Sequence, residues 1–183
     1  MAHYSSKIIK PLNTLLTVSV IVGSVALLGL AIHLVRIPFT HDTTALPLLV
    51  LLSTGVNLSV PLFVSSLGIY VVYSLLVIAT LLLALLFLNY LRIAVGSLKR
   101  RFGFVDALAS TVQKMGIVLL VFAYARQIVL WVAFSYGSGP SSDMLSFTFS
   151  LVPSEVAYAL ALFILAKVFS YALELQIEYD QTV

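Results

Sequence analysis

The chain has 183 residues and no cysteine; it is 61% hydrophobic and only 9% charged, with a formal net charge of +3 and a mean hydropathy of +1.13. Soluble domains hold roughly 25% charged residues, so this composition points to a bilayer as the solvent. The lack of cysteine removes disulfides, thiol catalysis and thiolate metal sites, and the small cationic excess, split between the flanks and interiors of apolar blocks, gives no reason to expect direct nucleic-acid binding.

The first apolar block covers 11–33. It is too long for a signal-peptide core and no clear small-residue cleavage site follows, so it reads as a retained transmembrane helix. His33 lies near its outer end, with His3 before it and His41 beyond. The three have no metal-ligand spacing and read as surface or interfacial residues. The external segment 37–67 contains "TALPLLVLLSTGVNLSVPLFVSS", apolar but broken by Pro47, Gly55, Asn57 and Pro61. Two short strands around a turn at "STGVN" fit it. A re-entrant loop over 45–64 is the rival reading.

The second span is 69–95. The link 96–115 that follows carries "KRR" at Lys99–Arg101, where a topology signal or contact with anionic headgroups outweighs a nucleic-acid patch. In the same link Phe104, Leu108, Val112 and Met115 recur at helical spacing, and Asp106 falls where an acid favours a helix start. This suggests a short interfacial helix that bends into the third span near Gly116. The plainer alternative is a downward extension of that span.

The third span, 116–136, carries Arg126 near its middle. An arginine at bilayer centre costs roughly 2.5–3.5 kcal/mol on insertion scales, so it should face the protein or water and have a partner. Glu155, at the outer start of the fourth span, is the best anionic candidate. Gln127 is placed to help, and Tyr124 can accept a hydrogen bond. An inter-helix anchor is the first reading of Arg126, a site for an anionic or polar lipid-like ligand the second, and a misplaced helix boundary the third. In the external segment 137–152, "GSGPSSD" reads as a turn and "LSFTFSL" alternates with period two, as a strand does. The fourth span, 155–175, follows Pro153. Lys167 lies past its middle, where the four-carbon stem can snorkel to the inner headgroups; the other reading has both cations facing one cavity.

Taken together, these elements predict an all-α membrane protein in one domain: a four-transmembrane-helix bundle with a small extracytoplasmic β-sheet of about three short strands. Lys7, Lys10, Arg92, Lys99, Arg100, Arg101 and Lys114 gather at one face, against Arg36 alone in the other links, so the positive-inside rule places both termini in the cytoplasm. Tyr70, Tyr73, Trp131, Tyr136 and Tyr158 then fall toward one side, as an aromatic belt would. Ser19/Gly23, Thr80/Ala84 and Ala157/Ala161 are small-xxx-small pairs, read as packing faces first and homodimer faces second.

Two stretches carry a family resemblance. Phe104 is followed twelve residues later by Gly116, with Met115 before that glycine and a transmembrane helix after it. The closing segment "LAKVFSYALELQIEYDQTV" runs Val168–Phe169 into Glu174, Glu178 and Asp180 and ends Asp-x-Thr-Val, with Thr182 and Val183. Both resemble motifs of a bacterial four-pass membrane family known as domain of unknown function 2975. Gly103 and Leu108 stand where that family usually has proline and asparagine. The resemblance implies a bacterial inner-membrane protein whose gene neighbours a small helix-turn-helix regulator. It therefore implies a cytoplasmic DNA-binding partner, docking through Phe104, Asp106, Glu174, Glu178, Asp180 and Thr182.

No G-x-S-x-G, H-E-x-x-H or P-loop pattern occurs, and the carboxylates sit near or outside the membrane faces, so the expectation is a non-enzyme without cofactor or metal. The leading expectation is a membrane sensor or tether for that regulator. A small transporter or channel subunit, or an immunity or stress protein, is the alternative. The acidic tail either pairs with Arg100 or Arg101 or forms a docking surface for a basic partner.

Overall fold

The computed structural model describes residues 2–36, 66–97, 104–136 and 149–182. Among them the chain is all helical, with α1 (Ala2–Arg36), α2 (Leu67–Ser97), α3 (Phe104–Tyr136) and α4 (Ser154–Thr182). Each contains a stretch long and apolar enough to cross a membrane: Lys10–Arg36, Leu67–Ser97, Leu108–Tyr136 and Ser154–Tyr179. At about 1.5 Å per residue, each exceeds the ~30 Å hydrocarbon core. Large apolar side chains such as Val18, Val25 and Ile32 on α1, Leu75 on α2 and Ile164 on α4 are exposed. Water would not tolerate so continuous an apolar surface. The chain reads as a multi-pass membrane protein whose outward faces are solvated by lipid.

The helices form two compact units. The first comprises Met1–Val25, Leu83–Val121 and Ser154–Val183. Its core is Ala94 of α2, Leu108, Val112 and Met115 of α3, and Ala166 of α4, with Phe87, Tyr90, Leu91, Leu162 and Phe169 packed around them. Two glycines allow close approach here. A Cβ on Gly116 would stand 3.0 Å from Phe163 Cε1, so the bare backbone of α3 receives the α4 phenyl ring. A Cβ on Gly23 would meet Leu85 Cδ2 at 2.5 Å, so α1 admits an α2 leucine in the same way. The Ser19/Gly23 pair therefore packs within the protein at its glycine, whereas Ala157 and Ala161 are exposed.

The second unit comprises Ala26–Leu82 and Phe122–Pro153. Its core is Tyr73, Val77, Val129, Leu130, Val132 and Ala133, with Leu30, Ile69, Leu76, Leu81 and Phe134 against it. The Ser66 carbonyl accepts the Tyr70 N–H at 3.1 Å and opens α2. The Tyr70 hydroxyl donates to the Leu34 carbonyl at 3.3 Å. That carbonyl lies in the last turn of α1, where four C=O groups lack intrahelical partners, so the tyrosine caps one of them.

Several expectations change. Helix α1 begins well before position 11 and keeps Pro11 inside it, although proline removes the bond to the carbonyl four residues back. Helix α3 runs unbroken through Gly116 from Phe104, so no separate interfacial helix forms. Leu108, Val112 and Met115 are buried core residues and do not lie on a leaflet. Tyr70 and Tyr73 are 1% and 0% exposed and belong to the interior, while Trp131, Tyr136 and Tyr158 are exposed as belt residues are. No strand occurs among the described residues: 149–152 are irregular, and the rest of the expected sheet, including 45–64, lies outside them.

Candidate functional site

The polar residues of α3 are where function was expected, and here the structure redirects the sequence reading. Gln127 is 3% exposed, deep for an amide in an apolar helix. Its Nε2 donates to the Ser150 carbonyl at 3.0 Å, and its Oε1 accepts the Ser150 N–H at 2.7 Å. One side-chain amide thus satisfies both main-chain groups of one residue, as a neighbouring β-strand would. Three residues earlier, on the same face, the Tyr124 hydroxyl donates to the Leu151 carbonyl at 3.0 Å. The Tyr124 ring stacks on Phe149, with centroids 6.5 Å apart and planes 24° apart.

Tyr124 and Gln127 together hold 149–151, the segment that leads through buried Pro153 into α4. Helix spacing explains the pairing, since residues three apart share a face, and irregular main chain near a membrane must find partners in the protein. The Gln127 amide, a possible helper of Arg126 by sequence, spends one N–H and one oxygen lone pair on Ser150. The signal for this clamp was present in the Tyr-x-x-Gln spacing. Its main-chain target, 23 residues away, was not.

Arg126 is partly buried and Glu155 half-buried, and both take part in interactions. Glu155 also accepts a hydrogen bond at 3.3 Å from Ser154 Oγ at the start of α4, where the helix dipole favours a carboxylate. Lys167 is exposed on α4. It lines an open apolar groove of about 480 Å³ with Phe163, Ile164, Val168 and Tyr171. A smaller, more polar recess of about 160 Å³ brings Lys167 together with Gln113 and Ser170. The Lys167 side chain thus lies on the exposed surface of α4, beside the groove.

Toward its C-terminal end α4 carries Glu174 and Glu178, both exposed, one helical turn apart and among exposed Leu175, Ile177 and Tyr179. Asp180 and Thr182 lie in the same helix, and Phe104 and Asp106 open α3. Arg100 and Arg101, the expected internal partners of the tail, lie outside the described residues. Among the described residues no three His, Asp or Glu side chains converge as metal ligands would.

Comparison with protein-family models, with curated proteins and with solved structures finds no match to this chain.

Proposed function

We propose that this protein is an integral membrane sensor or tether that holds a cytoplasmic helix-turn-helix regulator through its C-terminal helix. The observation that carries the reading is the form of the tail. Helix α4 continues without a break to Thr182 and carries the acidic segment as a helical extension of an apolar span. Glu174 and Glu178 repel each other at i,i+4, and carboxylates toward a helix C-terminus oppose its dipole. Both effects destabilise the isolated helix, so a basic partner that neutralises this face gains affinity from them. Leu175, Ile177 and Tyr179 are exposed nearby and supply apolar contact. The resemblance of the closing segment to a family whose genes neighbour such regulators gives the partner its class. The cationic bias of the links supports a cytoplasmic location for both termini.

The test is co-purification from native membranes with the full chain and with a chain lacking residues 174–183. A DNA-binding protein retained only by the full chain supports the tether. An unchanged set of partners, together with solute or ion flux in liposomes, would replace this reading with transport.

A further inference from the structure

The recess that joins Gln113 of α3 to Lys167 and Ser170 of α4 is rich in donors. The Ser170 hydroxyl spends its proton within the helix, on the Ala166 carbonyl at 3.1 Å, so its oxygen is left as an acceptor. The donors are then the Lys167 ammonium, with three N–H bonds and a full charge, and the Gln113 amide, with two. No carboxylate is among the described lining residues. Lys114, beside Gln113 in the sequence, is exposed and adds a second cation to this end of the helix pair. The first acid beyond Lys167 on α4 is Glu174, about 10 Å further along the axis.

The recess shares Phe163 and Lys167 with the larger groove of about 480 Å³, whose other lining residues are Ile164, Val168 and Tyr171. A small polar site and a long apolar one thus meet at a single lysine. Their depth suits a lipid. The apolar stretch of α3 starts at Leu108, so Gln113 lies about 8 Å inside it. Ser170 is nearly one turn closer to the end of α4 than Lys167, so the recess extends toward the membrane face at which α3 starts and α4 ends. A lysine stem is long enough to carry its ammonium toward phosphate depth from there.

We propose that the α3/α4 seam binds one anionic phospholipid. Its phosphate accepts hydrogen bonds from Lys167 and Gln113 in the recess, and one acyl chain lies along Ile164, Val168 and Tyr171. Charge decides the class. A phosphate oxygen facing an ammonium makes a charge-assisted bond, roughly twice as strong as a neutral one. A zwitterionic headgroup brings its own cation beside Lys167 and Lys114 and loses most of that gain. A free phosphate ion would leave the groove empty and forgo its apolar contact. The site is independent of whether the tail holds a partner.

The experiment uses the full chain in phosphatidylcholine nanodiscs doped with phosphatidylglycerol that carries a diazirine in one acyl chain. Crosslinks are expected on 163–171, displaced by unlabelled phosphatidylglycerol but not by more phosphatidylcholine or by inorganic phosphate. Lys167→Gln should cut labelling there about tenfold, the effect of losing one charge-assisted hydrogen bond, and Lys167→Arg should retain most of it. Lys10→Gln removes the same charge at the start of α1 and should leave labelling unchanged. Should Lys167→Gln fail to fold, Gln113→Leu tests the same recess from the other helix, with an expected fall of about threefold. Equal labelling by a phosphatidylcholine probe, an equal loss in Lys10→Gln, or no effect of Lys167→Gln in a chain with unchanged Tm would overturn the proposal and leave a lysine that meets any headgroup. Because the chain has no cysteine, Ile164→Cys gives a second readout. A disulfide between two copies with the probe excluded would also overturn it, by naming a second chain as the occupant of the groove.

Discussion

Gln127 and Ser150 exchange two hydrogen bonds, Nε2 to carbonyl at 3.0 Å and N–H to Oε1 at 2.7 Å, so a helix side chain takes the part of a β-strand toward a segment 23 residues further along the chain. Replacing Gln127 with leucine keeps the side chain's bulk and strands both main-chain groups. An unsatisfied buried polar group costs about 1–3 kcal/mol, but Ser150 is exposed enough for water to reach it. The expected loss is therefore about 1–2 kcal/mol for the pair. It should read as a lower Tm in nanodiscs and as faster proteolysis between 137 and 152. Gln127→Glu should be nearly as harmful, because the carboxylate cannot donate to the Ser150 carbonyl.

Tyr124→Phe separates the two halves of the neighbouring contact. The stack on Phe149 survives and the bond to the Leu151 carbonyl is lost. That bond is exposed, so the change alone should cost only about 0.5 kcal/mol. Combined with Gln127→Leu it should depart from additivity by roughly 0.5 kcal/mol or more, since both residues hold one segment. Strict additivity in a double-mutant cycle of unfolding free energies would show that the two contacts act separately.

Gly116 and Phe163 form a tight joint between α3 and α4. With a Cβ at 3.0 to 3.2 Å from three ring carbons, Gly116→Ala forces the ring to shift. Overpacking of this kind costs about 1–3 kcal/mol. Thermal unfolding of the purified variant should show that loss, and adding Phe163→Leu should recover part of it. A neutral Gly116→Ala would mean that the ring has free space to move into.

The acidic tail makes a prediction of opposite sign for folding and for binding. Glu174→Gln with Glu178→Gln removes a like-charge i,i+4 repulsion, which should stabilise the end of α4 by roughly 0.2–0.5 kcal/mol. The same change should abolish co-purification of a basic regulator, even at low salt. Partner recovery that is indifferent to both charges and to ionic strength would leave the tail without a docking role.

The four spans were legible because membrane insertion is close to a sum over local residues. Twenty or so apolar side chains in succession suffice, whatever they later touch. The fourth helix begins directly after Pro153, as read. The helix ends were less legible. Whether Phe104–Met115 leaves the third span or continues it depends on where Leu108, Val112 and Met115 find apolar cover, and they find it on Ala94 and Ala166 of other helices.

By itself, the sequence determined the solvent, the number of apolar helices and the positions of the few polar residues that an apolar helix must accommodate. Only the tertiary structure decided which way each helix faces. In water an amphipathic stripe reveals the buried side, but lipid is as apolar as a protein core, so helices that are hydrophobic all round carry no such signal. Tyr73 could therefore be taken for a belt residue when it is a core residue. Gln127 could be singled out as a polar residue in need of a partner, but its partner was the main chain of Ser150, which no side-chain pattern marks.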